Sequence, residues 1–248
     1  MSTTQSADWS YELRSIEAGE ALDHYTRWIL EPFWPHLRGR VIEVGAGIGS
    51  IAEYYLPFVD EAVLVEPAGN LFPSLERKVS RFTTAKPVTG FVEELVGKDV
   101  RGTRVEPATF DAAVMINVLE HVPDDVGVLR TLHTLLKPGH KIFLFVPAMP
   151  SLYGPIDERI GHLRRYTRET LEACVREAGF DIDFTEYFDW LGSIPWFLTN
   201  RVLRQSEVSA KGLKTYDRFV VPMCRLVDDL LKPQKFGKNL RLVATKRA

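Results

Sequence analysis

Short, nearly unbroken apolar runs alternate along the chain with stretches whose apolar residues recur every three or four positions. The runs at 40–44, 63–66, 110–116 and 141–146 have the length of buried strands, and a briefer one at 87–91 gives another. Between them, 71–79 reads as a helix. So does the segment opened by Asp124, whose Val126, Leu129, Leu132 and Leu136 share one face before Pro138-Gly139 stops it. Thr167 suits the N-cap of a helix that Gly179 ends, and strands follow at 180–187 and 239–245. Upstream, 11–37 has helical spacing through Leu22, Tyr25, Trp28 and Ile29 until Pro32 and Pro35 break it. This rhythm predicts an α/β fold: a doubly wound, mostly parallel seven-stranded sheet with helices on both faces.

One stretch departs from the rhythm. Residues 190–236 separate the last two strands by far more than a tight connection, and they are rich in Trp, Phe, Leu and Arg. They are read as a helical cap inserted before the last strand. The expected plan is a single domain over 1–248, with a helical N-terminal lid (1–38), a core (39–190), the cap (191–237) and the last strand (238–248).

Composition narrows the function classes. With 45% hydrophobic and 26% charged residues, a soluble globular protein is expected. The net charge of −2 argues against bulk nucleic-acid binding. No apolar run approaches the ~18 residues of a membrane span. The first nine residues lack a basic-then-apolar leader pattern, so a cytoplasmic location is expected. Cys174 and Cys224, far apart and outside any CxxC spacing, are expected to be thiols.

The densest signal is Val41-Ile-Glu-Val-Gly-Ala-Gly-Ile-Gly49, a buried strand entering a glycine-rich turn before a helix. Gly45 and Gly47 let the backbone turn sharply and approach a ligand, and the next helix offers N–H groups at its start. Dinucleotide sites share this plan, but here the spacing is GxGxG, and Ser50 stands where their third glycine would be. Glu43 would repel a pyrophosphate yet attract an ammonium. Glu66, at the end of the second strand, can accept two ribose hydroxyls.

These segments resemble the class I S-adenosylmethionine (SAM)-dependent methyltransferases, with their Rossmann-like fold, over about 40–187 and the last strand. The resemblance implies SAM as cofactor. It implies that Glu43, Gly45, Ala46, Gly47 and Gly49 form the cofactor loop, and that Glu66 with Pro67 holds the ribose. Phe110-Asp-Ala-Ala-Val-Met-Ile-Asn-Val-Leu-Glu-His-Val122 resembles the family's fourth motif, which implies that Asn117, Val118 and Leu119 line the cofactor beside the sulfonium. Where the family often carries an adenine-binding Asp, this chain has Gly90-Phe91; either Phe91 flanks the adenine or Glu93 holds its amine. The N-terminal helix is expected to close over SAM, with Tyr25 or Trp28 against the cation.

Methyl transfer from a sulfonium demands orientation first, and a base only where the acceptor must lose a proton. Asn117-Val-Leu-Glu-His121 resembles the ExxEH segment of quinone-biosynthesis O-methyltransferases, whose acids and His are linked to a divalent cation. Asn117 replaces the first acid and removes a charge, so Glu120 and His121 are read as shaping the pocket, or His121 as a base, and no metal is expected. The second candidate segment runs from Tyr153-Gly-Pro to Gly-His162-Leu-Arg-Arg165-Tyr-Thr167. It resembles a subgroup found near glycosyltransferase or lipid-linked sugar functions. His162 is a candidate base, and an Arg164-Arg165 fork with Tyr153 is a candidate reader of an anionic acceptor; pairing of these arginines with Asp157 and Glu158 is the alternative. The expected reaction is O-methylation of a small-molecule, glycan or lipid-linked acceptor. The alternatives are a natural-product or quinone-type phenol methyltransferase and a catalytically silent SAM-binding domain. The cap's apolar clusters read as core, an acceptor tunnel or a peripheral membrane contact.

Overall fold

The apolar runs of the sequence form one seven-stranded sheet in the computed structural model, which describes residues 22–202, 214–230 and 235–247. Its strands are β1 (Arg40–Val44), β2 (Glu61–Glu66), β3 (Ala85–Thr89), β4 (Phe110–Ile116), β5 (Leu136–Pro147), β6 (Phe180–Phe188) and β7 (Asn239–Lys246). They lie in the order β3-β2-β1-β4-β5-β7-β6. The first five in that order run parallel, and β7 runs antiparallel to both β5 and β6.

The strands read as continuous apolar runs because both faces are covered. Ile42, Val63, Ala113 and Leu144 point into one apolar cluster, which the helices at Asp125–Leu135 and Arg168–Glu177 complete. Val41, Leu64, Ala112 and Phe143 alternate with them and enter the other cluster, with Trp28, Phe33 and Leu75.

Helix boundaries follow local chemistry. The Asp124 carboxylate accepts the Gly127 N–H at 2.9 Å and caps the helix Asp125–Leu135. That helix stops before Pro138 because Leu136 joins β5 and pairs with Phe110. Thr167 caps Arg168–Glu177 through the Thr170 N–H at 3.2 Å, as its position predicted.

The connection between β6 and β7 is helical where it is described. Ser193–Trp196 leads into wide turns at Phe197–Val202; Tyr216–Val220 leads into the helix Val221–Leu230. Two buried carboxylates anchor it. Asp217 accepts the N–H groups of His24 and Tyr25 at 3.0 and 2.9 Å. Asp228 accepts those of Asp189 and Trp190 at 2.7 and 3.0 Å. The first of these ties the helix Asp23–Leu30 to the cap. The expected helical residues 11–21 and Leu203 of the expected cap lie outside the described residues. Cys174 and Cys224 are both free thiols.

The order brings β1 and β4 side by side while their connections leave in opposite directions. A crevice therefore opens beyond their C-terminal ends, where ligands bind in such sheets.

Candidate functional site

A cavity of about 1220 Å³ fills that crevice. It exceeds the ~300–1,000 Å³ of an ordinary small-molecule pocket, which leaves room for two ligands. One half is built on the glycine loop, the other on the segments after β4 and β5 and on the cap.

On the loop side, Gly45, Gly47, Glu66, Pro67, Phe91, Asn117 and Val118 line the cavity, as does Glu93. Gly45 has φ +71°, and a Cβ there would stand 2.3 Å from Val118 Cγ2. Only glycine permits both the turn and the approach of the segment after β4. Glu66 bridges the loop: Oε2 accepts the Gly47 N–H at 2.7 Å and Oε1 the Ala68 N–H at 2.8 Å. Burial raises its pKa against these two hydrogen bonds, and each oxygen keeps a second lone pair for a hydroxyl donor. Asn117 sits at φ +53°, and its N–H donates to the Phe145 carbonyl at 2.8 Å. Among non-glycine residues Asn tolerates that left-handed conformation best, which gives a backbone reason for its presence here.

Three expected loop residues and Leu119 stand elsewhere. Glu43 is 2% exposed and does not line the cavity; its carboxylate accepts from the Tyr55 hydroxyl beneath the loop. Burial pushes its pKa to about 8, the Tyr55 hydrogen bond opposing. It supports the loop from below and does not face a ligand ammonium. Gly49 (φ +86°) packs against Leu75 and Val79, where a Cβ would lie 3.0 Å from each, so it serves helix packing. Ala46 and Leu119 are buried in the core behind the lining.

Tyr25 does line the cavity, but the cation over its ring is Lys238 Nζ at 4.9 Å, and its hydroxyl donates to Asn239 Oδ1 at 3.1 Å. Trp28 lies in the core, 3.9 Å from the Phe188 ring.

The other half gathers His121, Arg159, His162, Arg165, Trp196 and Lys238. Its hub is Asp157, fully buried. Its Oδ1 meets His162 Nδ1 at 2.8 Å and accepts from Arg165 Nε at 2.8 Å; its Oδ2 accepts from Asn200 Nδ2 and the Gly154 N–H, both at 3.0 Å. Burial opposes its ionisation, yet these partners hold its pKa below the usual carboxylate range. The ionised Asp157 fixes the proton of His162 on Nδ1 and leaves Nε2 as the accepting nitrogen. His121 Nδ1 meets the Gly161 carbonyl at 3.1 Å, which fixes its tautomer in the same way. Burial, followed by the neighbouring His162, lowers the His121 pKa to about 4, so the ring stays neutral. The two imidazoles meet edge to face at 4.8 Å.

Glu120 is wholly buried, and neither of its carboxylate oxygens finds a hydrogen-bond partner among the described residues; His162 Nε2 stands 3.5 Å from Oε1. Burial raises its pKa to about 8. Glu120, His121 and His162 each offer a ligand atom within 4.8 Å of the others. Two imidazoles and a carboxylate are donors that a zinc-class ion accepts.

The expected arginine fork is not formed. The two side chains point apart: Arg164 pairs with Asp125 at 2.7 Å, while Arg165 turns inward to Asp157 and the Ala148 carbonyl. Pairing with Asp157, the alternative reading, accounts for Arg165. Tyr153 does not line the cavity, and its hydroxyl donates to the His162 carbonyl at 2.8 Å. Sequence reasoning missed Lys238 and the hub role of Asp157, while Trp196 was legible only as one of the cap's apolar residues. The signal for Asp157 was its place among Pro155, His162 and Arg165; Lys238 carried none.

Fold and crevice together define a class I SAM-dependent methyltransferase. The profile of a methyltransferase domain matches residues 19–183, and the chain belongs to that family. A ubiquinone biosynthesis O-methyltransferase of Xanthomonas campestris pv. campestris (strain B100) is 32% identical over 111 residues, 42% of this chain and 41% of the relative. The chain thus spans less than half the length of the curated relative it matches. Among solved structures, Haemonchus contortus phosphoethanolamine N-methyltransferase 2, in complex with phosphomonomethylethanolamine and S-adenosylhomocysteine, superposes with TM-score 0.65 at 18% identity, over 100% of this chain and 61% of that one. An S-adenosylmethionine dependent methyltransferase from Mesorhizobium loti superposes with TM-score 0.61 at 15% identity, over 91% and 100%. At these identities the likeness is one of fold.

Proposed function

We propose that this methyltransferase moves the sulfonium methyl of SAM to a hydroxyl of an anionic small-molecule, glycan or lipid-linked acceptor. The observation that carries this reading is the composition of the cavity's outer half, where Arg159 and Lys238 stand beside two imidazoles. Arg165 is committed to Asp157 and Lys238 is paired with Asp189 at 2.8 Å, so Arg159, with Lys238 behind it, is the reader of a phosphate- or carboxylate-bearing acceptor beside a hydroxyl-activating base. In this reading Glu66 holds the ribose, Phe91 or Glu93 meets the adenine, and Asn117 and Val118 stand beside the sulfonium. SAM supplies the electrophilic methyl.

His162 is the base. Asp157 holds its Nδ1–H, so Nε2 can take the acceptor proton as the methyl arrives, and the resulting imidazolium is stabilised by Asp157. His121, with its low pKa, is a hydrogen-bond acceptor that orients the hydroxyl. Arg165 and Tyr153 are positioning residues that hold the His162 segment in place. Glu120 is protonated beside His162 in this reading, which assigns acid–base work to these residues although the same three donors would suit a zinc-class ion.

Transfer of labelled methyl from SAM into cell extract, followed by separation of lipid, glycan, protein and small-molecule fractions, tests the reading. Label is expected in an anion-exchange-retained lipid, glycan or small-molecule fraction, as a base-stable methyl ether. Label confined to protein or nucleic acid, or to uncharged phenols, overturns it.

A further inference from the structure

Nine of the twelve large apolar side chains that stand exposed among the described residues lie between Ile194 and Phe236. In the helix Val221–Leu230 and the turns leading into it, Asp217, Val221, Cys224 and Asp228 face the core. Phe219, Met223, Leu226 and Leu230, at the same helical spacing on another side, are between 51% and 73% exposed. A single exposed leucine needs no explanation, but a stripe at helical spacing does. Lys214 and Arg218, four residues apart, lie on a third side, which Arg225 extends while paired with Glu31 at 2.7 Å.

Charge follows the same segment. Residues 190–238 hold nine Lys and Arg against four Asp and Glu, whereas the whole chain has a net charge of −2. Two of those acids, Asp217 and Asp228, are buried as anchors, and among the described residues Lys214 and Arg218 are exposed on the cap. The cap also opens onto the cavity. Lys238 Nζ, in the cavity wall, lies 5.8 Å from the Trp196 ring and 5.9 Å from the Tyr216 ring, so both helical pieces converge on it. Next to Trp196, Phe197 and Leu198 are exposed. No helix among the described residues is long and apolar enough to cross a membrane.

We propose that the cap docks this protein on an anionic membrane surface, with the Phe219–Leu230 stripe sunk into the interface and Lys214 and Arg218 on the headgroups. The inference rests on the lipid-linked version of the proposed acceptor and says how such an acceptor reaches the cavity. An amphipathic helix with a basic side and an apolar side lies in the interface plane, and anionic lipid adds to its affinity.

Sedimentation of the full chain with vesicles tests this, using phosphatidylcholine alone or mixed with phosphatidylglycerol. Binding to the mixed vesicles is expected, weakened by salt and much reduced on phosphatidylcholine alone. The double variant Phe219→Glu/Leu226→Glu is expected to lose at least ~tenfold in vesicle affinity, and Lys214→Glu/Arg218→Glu to lose the preference for anionic lipid. Unchanged calorimetric affinity for S-adenosylhomocysteine shows that each variant is folded. A wild-type chain that stays in the supernatant overturns the proposal, as does undiminished binding by the Phe219/Leu226 variant. A dimer by light scattering that this variant dissociates, without vesicle binding, assigns the stripe to a second copy instead. The assay contains neither cofactor nor acceptor, so its failure leaves methyl transfer to soluble acceptors standing, and failed transfer leaves the vesicle result standing.

Discussion

The two halves of the cavity are built on different physical plans. The loop half is built from short segments at the C-terminal ends of successive strands, the glycine loop, Glu66-Pro67, Phe91 and Asn117-Val118, and the glycine loop's contacts are made by backbone N–H groups and glycines. The other half draws on 119–125, 153–166, 193–200 and Lys238, joined by ion pairs around the buried Asp157. Each half hides one carboxyl whose pKa burial lifts to about 8. Glu43 is capped by Tyr55, whereas Glu120 has no hydrogen-bond partner among the described residues. In the proposed reading, a cofactor shared by a whole class is served by local backbone geometry. The acceptor, particular to one protein, is served by side chains from distant segments, which can change without disturbing the loop.

Substitutions should separate the halves if this contrast is real. The largest effect is expected from His162→Ala, which removes the base: kcat should fall ~10²–10⁴-fold, with S-adenosylhomocysteine affinity within about twofold by calorimetry. Loss of cofactor affinity as well would show that the halves are not independent. Gly45→Ala should do the reverse. Its Cβ meets Val118 and its φ is positive, so cofactor affinity should drop ~30-fold or more, read by the same titration. Arg159→Ala, at the exposed rim of the acceptor half, should raise KM for an anionic acceptor about tenfold and leave kcat and melting temperature near wild type.

The buried carboxyl beneath the loop gives a pH test. The Glu43 pKa is raised on folding, so its contribution to stability is full below about pH 4.5 and is lost as pH rises through about 8. Glu43→Gln keeps an acceptor for Tyr55 and removes the titration. Its melting temperature relative to wild type should therefore be higher at about pH 8.5 than at about pH 5, by at least ~3 °C. An equal difference at both pH values would contradict the buried, protonated carboxyl. Smallest of all, excess EDTA should leave turnover within about twofold of its untreated value, since the reading assigns no metal to Glu120, His121 and His162. Abolished turnover, restored by a divalent ion, would move those three residues from acid–base work to metal ligation.

The seven strands, their alternation with helices, the glycine loop and the helix capped by Thr167 were legible in the sequence. Each is written within about ten residues, as a periodicity, a turn requirement or a cap. Local pattern also misled. A carboxylate two residues before a glycine loop has the right charge for an ammonium, but side chains on a strand alternate, and the pleat turns Glu43 down to Tyr55. Consecutive arginines look like a fork, yet the two side chains point apart to different partners.

What the sequence by itself determined is therefore the class: the fold, the cofactor loop and the carboxylate that closes it, since all of these are set by local backbone demands. Tertiary structure alone decided which side chains meet beyond the loop. Asp157 became the hub of His162, Arg165 and Asn200, Lys238 came to lie over Tyr25, and the cap's apolar stripe was left facing outward. Those pairings span from a few residues to more than two hundred, and no periodicity records a contact that only the packing of the sheet, lid and cap creates.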